Sequence, residues 1–212
     1  LAKIGDSTVL EYTVARLKRS KLVDDICLAT TDKEVDDQII EVAEKIGLKY
    51  FRGDEDDVLG RFYNAAKENN ADIIIEVTGD CPLIDTSLIE EGLRIYLESD
   101  YRCVGVGMNK NFPHGLDFYI FDMKLLEEMN QNAKTEIERE HIIEYVTSKP
   151  DKIKSYYMEA KENLKRPDVR ITLDYEEDLE NINKIVDNVK HKGIDYTVED
   201  IIEQWDLIKG QV

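Results

Sequence analysis

The chain has 212 residues, 42% hydrophobic and 35% charged, with a formal net charge of −18. That length supplies one sizeable core, expected as a single domain over 1–212. The acidic balance disfavours nucleic acid and anionic lipid, no apolar run is long enough to span a bilayer, and no secretory signal opens the chain. A cytoplasmic protein without nucleic-acid or membrane partners is therefore expected. Cys27, Cys81 and Cys103 are odd in number and lack C-x-x-C spacing, which argues against a disulfide framework or a zinc site. Cys27 and Cys103 lie in apolar runs and read as core; Cys81 sits beside Asp80.

In chain order, Ser7 or Thr8 caps a helix reaching about residue 20. A buried strand is expected at 25–30, then a helix capped by Asp32 and ended by Gly47. A short strand at 48–51, a polar loop at 52–57 and a helix at 58–69 follow. The run Ile73-Ile74-Ile75-Glu76-Val77 reads as a strand buried on both faces. Gly79 stops it and Pro82 cannot rejoin a sheet, so Asp80 stands on a tight turn past the strand's carboxyl end. Asp85 or Thr86 caps the next helix, and 101–106 is a further strand. This alternation predicts a mostly parallel sheet with helices on both faces.

The rhythm changes near Gly107. A loop at 108–115 contains Phe-Pro-His-Gly, and a strand is expected at 116–121. Helices are expected at 122–132 and 136–148, and strands at 153–158 and 169–173. Helices at 176–191 and 198–209 close the chain, the last capped by Thr197. The core is expected at about 1–106 and 169–212, with a small antiparallel excursion over 107–168.

Asp80 and Asp174 each follow a short apolar strand and precede a helix, 174 − 80 = 94 positions apart. In one parallel sheet both would face the same edge, where two carboxylates can share a Mg²⁺ that also grips substrate phosphates. The competing reading is two independent caps. Arg52 and Arg61 flank the acidic loop and can bind phosphate, or pair with its aspartates. Asp54-Glu55-Asp56 fits a D-x-D metal motif but does not close a buried strand, so it reads as a solvated turn. His141 and Tyr145, spaced i, i+4 beside Arg139 and Glu140, share a helix face suited to a polyhydroxylated ligand, or they pack. His114 lies in a turn that can meet a ligand. His191 reads as a favourable charge near a helix end.

Five motifs in this order resemble the cytidylyltransferases of the spore-coat polysaccharide type, relatives of the acylneuraminate and 3-deoxy-manno-octulosonate cytidylyltransferases. They are Arg-Gly-Asp-Glu-Asp-Asp-Val-Leu-Gly-Arg (52–61), Val-Thr-Gly-Asp-Cys-Pro-Leu-Ile-Asp (77–85), Phe-Pro-His-Gly-Leu-Asp (112–117), Glu-Arg-Glu-His (138–141) and Arg-Ile-Thr-Leu-Asp-Tyr-Glu-Glu-Asp-Leu (170–179). The resemblance covers nearly the whole chain. It implies an α/β nucleotide-binding fold of the GT-A kind, and transfer of CMP from CTP to a sugar acceptor with Mg²⁺ and release of pyrophosphate. It implies Asp80 and Asp174 as catalytic and metal-binding. Arg52, Arg61, Thr78, Gly79 and Asp80 fall on the nucleotide side, and His114, Gly115, Arg139, Glu140, His141 and Tyr145 on the sugar side. A homodimer is among the assemblies it allows. The resemblance also places a strand and a phosphate-cradling loop ahead of the segment matched by Leu1-Ala2-Lys3-Ile4-Gly5, and expects weak activity where they are lacking. The rivals are a GT-A glycosyltransferase, with Asp54 or Asp56 at the metal, and a non-catalytic binding subunit.

Overall fold

The computed structural model describes residues 1–107 and 111–210; residues 108–110 of the expected loop lie outside the described residues. The chain opens with a small antiparallel hairpin, β1 (Lys3–Ile4) and β2 (Ser7–Thr8). Thr8 then caps α1 (Val9–Leu17) in a reciprocal box with Glu11, which satisfies backbone donors the helix itself cannot. β3 (Cys27–Thr31) pairs in parallel with β4 (Lys49–Gly53) across α2 (Asp37–Lys45). Asp32 does not cap that helix as expected. A 3-10 turn at Glu34–Asp36 intervenes, and the Asp36 carboxylate is taken by the hydroxyls of Thr30 and Thr31. Cys27 is half-buried, so it is not the core residue its apolar neighbours imply.

Next come α3 (Val58–Glu68), β5 (Ile73–Val77), α4 (Thr86–Glu98), β6 (Cys103–Val106), β7 (Phe118–Asp122), α5 (Met123–Asn132), α6 (Glu136–Glu140), α7 (Glu144–Thr147) and β8 (Ser155–Tyr157). After a segment without regular structure, α8 (Glu176–Val189) and α9 (Val198–Lys209) end the fold, Thr197 capping α9. No helix among the described residues is long and apolar enough to cross a membrane.

The main sheet has the order β5-β7-β6-β8. β7 is antiparallel to both β5 and β6, while β8 is parallel to β6. Three of these strands therefore run one way and β7 alone opposes them. Side chains alternate across the sheet, as period-two geometry requires. Phe118, Ile120, Val104 and Val106 enter the larger core with α4, α8 and α9. Phe121, Cys103 and Ile74 enter a second core with α3, α5 and α7. The α/β fold with helices on both faces is thus the one expected. The excursion differs from expectation: its strand β7 is the inner partner of both β5 and β6.

Three further expectations change. β5 is not buried on both faces, since Ile73 is 36% exposed and only Ile74 is fully buried. The helix expected over 136–148 is two short ones, because His141 takes an extended conformation after α6. The strand expected at 169–173 reduces to one parallel bridge, Arg170 against His114.

The amino end is tied down by Arg16, which is 1% exposed and bonded through backbone carbonyls. Its guanidinium donates to the carbonyls of Ile84 (2.9 Å), Ile194 (3.0 Å) and Tyr196 (3.4 Å) and lies 4.0 Å from the Tyr196 ring centre. A buried guanidinium needs such acceptors to offset its lost hydration.

Candidate active site

The site is assembled around residues 169–178. His114 donates its backbone N–H to Val169 and accepts from Ile171, both at 2.8 Å. That close approach explains Gly115: a Cβ there would lie 2.5 Å from the Thr172 nitrogen, and its φ of +113° suits glycine. On the other side, Leu173 donates its N–H to the Asp80 carbonyl at 2.8 Å, and Thr172 Oγ1 donates to Asp80 Oδ2 at 3.2 Å. The run 169–174 thereby lies between the His114 loop and the Asp80 turn. The segment bearing Asp174 is held against the Asp80 turn by the Leu173–Asp80 backbone bond, not by two matched strand ends, since 169–173 forms only a bridge.

The Asp80 turn is firmly seated. Cys81 N–H closes on the Thr78 carbonyl at 3.2 Å, Leu83 and Ile84 are fully buried, and Asp85 caps α4 through Ser87 N–H at 2.7 Å. The second Asp85 oxygen accepts the Val198 N–H at 3.1 Å, which ties the turn to the start of α9. Cys81 Sγ contacts Asp80 Oδ1 at 3.6 Å; burial, with Asp80 beside it, pushes its thiol well above the ordinary range. Gly79 faces open space.

Asp174 is held by Arg170, whose Nη2 reaches Asp174 Oδ2. The same guanidinium clasps Asp178, Nε to Oδ1 at 2.9 Å and Nη2 to Oδ2 at 3.1 Å, and its Nη1 meets His114 Nδ1 at 3.1 Å. Asp178 Oδ2 also accepts the N–H groups of Asp174 (3.0 Å) and Tyr175 (2.9 Å). With Arg170 as the largest cause, the Asp178 carboxyl is held down at about 2.

Two more acidic groups approach the same edge. The antiparallel register sets Phe118 opposite Val77, so Asp117 comes beside the end of β5. Burial raises the Asp117 carboxyl, with Asp80 adding to the rise and His114 opposing it. Burial, Asp117 and Asp80 push Glu76 up to about 7. Beside them lies a cavity of about 340 Å³, walled by Val106, Phe112, Pro113 and Pro167, with Asp117 and His114 as its polar lining. Among the described residues no group of three or more His, Cys, Asp or Glu side chains is placed to hold a metal.

The other anticipated residues divide. Arg61 donates Nη1 to the carbonyls of Asp54 (2.6 Å) and Glu55 (3.3 Å), while its buried Nε has no protein partner. Arg52 is fully engaged with Thr31, Lys33 and Asp37, locking β3 to β4. Asp54 accepts the N–H groups of Asp56 and Asp57, so the D-x-D sequence is a turn. Arg139 clasps Asp57, the cap of α3, and the Asn130 carbonyl. Tyr145 is 4% exposed in the second core and His141 is exposed on a different element, so the shared helix face is not formed. Glu140 is exposed at the end of α6. These four residues are not gathered around Asp80 and Asp174 by any contact described above.

Sequence reasoning did not single out Arg170, Thr172, Asp178, Asp117 or Glu76. Asp178 had a signal: an acid three residues after the position preceding a helix is a capping pattern.

Comparison with known proteins places the chain in a family. A family profile described as Cytidylyltransferase matches residues 1–201. An uncharacterized protein of Methanocaldococcus jannaschii is 41% identical over 174 residues, 82% of this chain and 70% of the relative. The spore coat polysaccharide biosynthesis protein SpsF of Bacillus subtilis is 29% identical, over 87% of this chain and 78% of that protein. The solved structure of a cytidylyltransferase from Leptospira borgpetersenii superimposes with a TM-score of 0.86 at 30% identity, covering 99% of this chain and 86% of that one. A CMP:2-keto-3-deoxy-manno-octonic acid synthetase solved with CTP shares the fold, with a TM-score of 0.66 at 14% identity over 89% of this chain and 91% of that one. The chain belongs to the cytidylyltransferase family.

Proposed function

We propose that the protein transfers CMP from CTP to a sugar and releases pyrophosphate, in nucleotide-sugar synthesis for a surface polysaccharide. The observation that carries this reading is the Leu173–Asp80 backbone bond, which brings the segment bearing Asp174 against the Asp80 turn. The acceptor hydroxyl oxygen attacks the α-phosphorus and gives up its proton to solvent; an O–P bond forms, the bond from the α-phosphorus to the oxygen bridging to the β-phosphate breaks, and pyrophosphate leaves with that oxygen.

The donor set fits Mg²⁺. That ion takes oxygen ligands, keeps several waters, and is commonly held by one or two carboxylates together with substrate phosphates. Asp80 and Asp174 would supply two such carboxylates, the Leu173–Asp80 bond bringing their segments into contact. Bound there, Mg²⁺ would stabilise negative charge on the phosphates. Thr172 fixes the Asp80 carboxylate, and Asp178 fixes the backbone of Asp174. His114 and Asp117 offer hydrogen bonds to acceptor hydroxyls, beside the apolar side chains that line the same cavity.

The test is incubation with CTP, Mg²⁺ and, in turn, 3-deoxy-manno-octulosonate, N-acetylneuraminate and glucose. Pyrophosphate release and the mass of a CMP-sugar are read out. Release of free nucleotide from a CDP-sugar, with no pyrophosphate from CTP, would replace this reading with a glycosyltransferase.

A further inference from the structure

We propose that Arg170 is a positioning residue that fixes the imidazole of His114 as an N–H donor to the acceptor while holding the carboxylate side of the site. The functional half rests on the reading of the cavity as the acceptor pocket.

The chemistry follows from which atoms can donate. A guanidinium has five N–H donors and no acceptor. At the Arg170 Nη1–His114 Nδ1 contact of 3.1 Å, Nδ1 must therefore be the acceptor. The ring is then neutral, with its proton on Nε2. His114 lines the cavity, so this proton is the donor the imidazole offers a ligand there. Fixing one ring nitrogen to define the role of the other is how histidine is oriented in many sites.

Arg170 is itself kept in place. Two of its nitrogens grip both oxygens of Asp178, whose side chain is 7% exposed, and its backbone bridges to His114. Its remaining reach goes to Asp174. One planar group thus touches a proposed metal carboxylate, the helix that braces it and the pocket histidine. Lysine cannot replace it: a single ammonium on a flexible stem can meet Asp174 or Asp178 but cannot span all three partners at once.

The test uses long-range ¹H–¹⁵N correlation of the imidazoles at a pH of about 9, above the ordinary histidine range. His114→Gln identifies the His114 signals among those of His141 and His191. In the wild type, His114 is expected solely as the Nε2–H form. In Arg170→Lys, the Nδ1–H form is expected to appear at the level of a free histidine, with the melting temperature little changed. A wild-type ring that already shows the free-histidine mixture, or an Nδ1–H ring, overturns the proposal; this measurement stands even if the variant does not fold. So does an unchanged tautomer in Arg170→Lys. With the sugar that turns over in the CTP assay, Arg170→Lys is expected to raise the acceptor KM about tenfold and the CTP KM by less, the latter through Asp174. Equal loss toward both substrates would overturn the pocket role. If none of the three sugars turns over, the cytidylyl-transfer reading fails, and the imidazole measurement still decides what Arg170 does.

Discussion

Leu173 donates its backbone N–H to the carbonyl of Asp80 at 2.8 Å, and Thr172 reinforces the contact through the Asp80 carboxylate. That pair of bonds converts two separate sequence motifs into one site. Because the Leu173 bond runs through the backbone, the placement survives substitution of either carboxylate.

Asp80→Asn and Asp174→Asn are accordingly expected to keep the fold and lower turnover about 10²-fold or more. Turnover at limiting Mg²⁺ and Mn²⁺ binding by electron paramagnetic resonance check this. Near-normal turnover of Asp174→Asn under those conditions would remove it from the metal site.

Glu76 gives stability an unusual pH dependence. Its carboxyl titrates near 7 in the fold against an ordinary 4.5. Between those values the folded chain keeps a proton that the unfolded chain has released, so stability falls as pH rises. The loss is on the order of 2 kcal/mol between about pH 5 and pH 8 in chelator. Glu76→Gln is expected to flatten this limb, measured by urea unfolding across that range. An unchanged slope assigns the linkage to another group.

Two glycines make a matched pair. Gly115→Ala forces a Cβ against the Thr172 nitrogen in a left-handed conformation, at a cost of about 2 kcal/mol or more. Gly79→Ala meets open space and is expected to shift stability by less than about 0.5 kcal/mol. Thermal unfolding of the two variants side by side distinguishes close backbone approach from a general need for glycine.

Arg16→Ala leaves the carbonyls of Ile84, Ile194 and Tyr196 without their donor and opens a cavity beneath the Tyr196 ring. A loss of about 3 kcal/mol or more is expected from denaturant unfolding. Arg16→Lys, which cannot reach all three carbonyls, should fall between the two.

Much of the fold was legible because its signals are local. The β-branched run 73–77 stopped by Gly79 and Pro82 is a strand and turn, and Thr8, Asp85 and Thr197 are caps in the structure. What stayed hidden is which elements become neighbours. Alternation in 118–121 tells which face each side chain takes, and cannot tell that β7 pairs with both β5 and β6. Residues 169–173 are apolar enough for a strand, yet loops occupy both flanks and only Arg170 forms a bridge. The i, i+4 spacing of His141 and Tyr145 assumed a continuous helix, which the extended His141 interrupts. Arg170 is found only by its partners: His114 lies 56 positions away, and Asp178 eight.

The separation of Asp80 and Asp174 by 94 positions also bears on when the site comes into being. Strands β5, β6 and β7, the α4 helix and the Asp80 turn are complete before residue 169 has been synthesised. Closing so long a loop costs entropy that is recovered only when the later segment docks. A chain collapsed around those strands therefore carries Asp80 without its counterpart. Binding at the carboxylate pair reports that residues 169–178 have threaded between the two loops, and it separates finished molecules from compact ones.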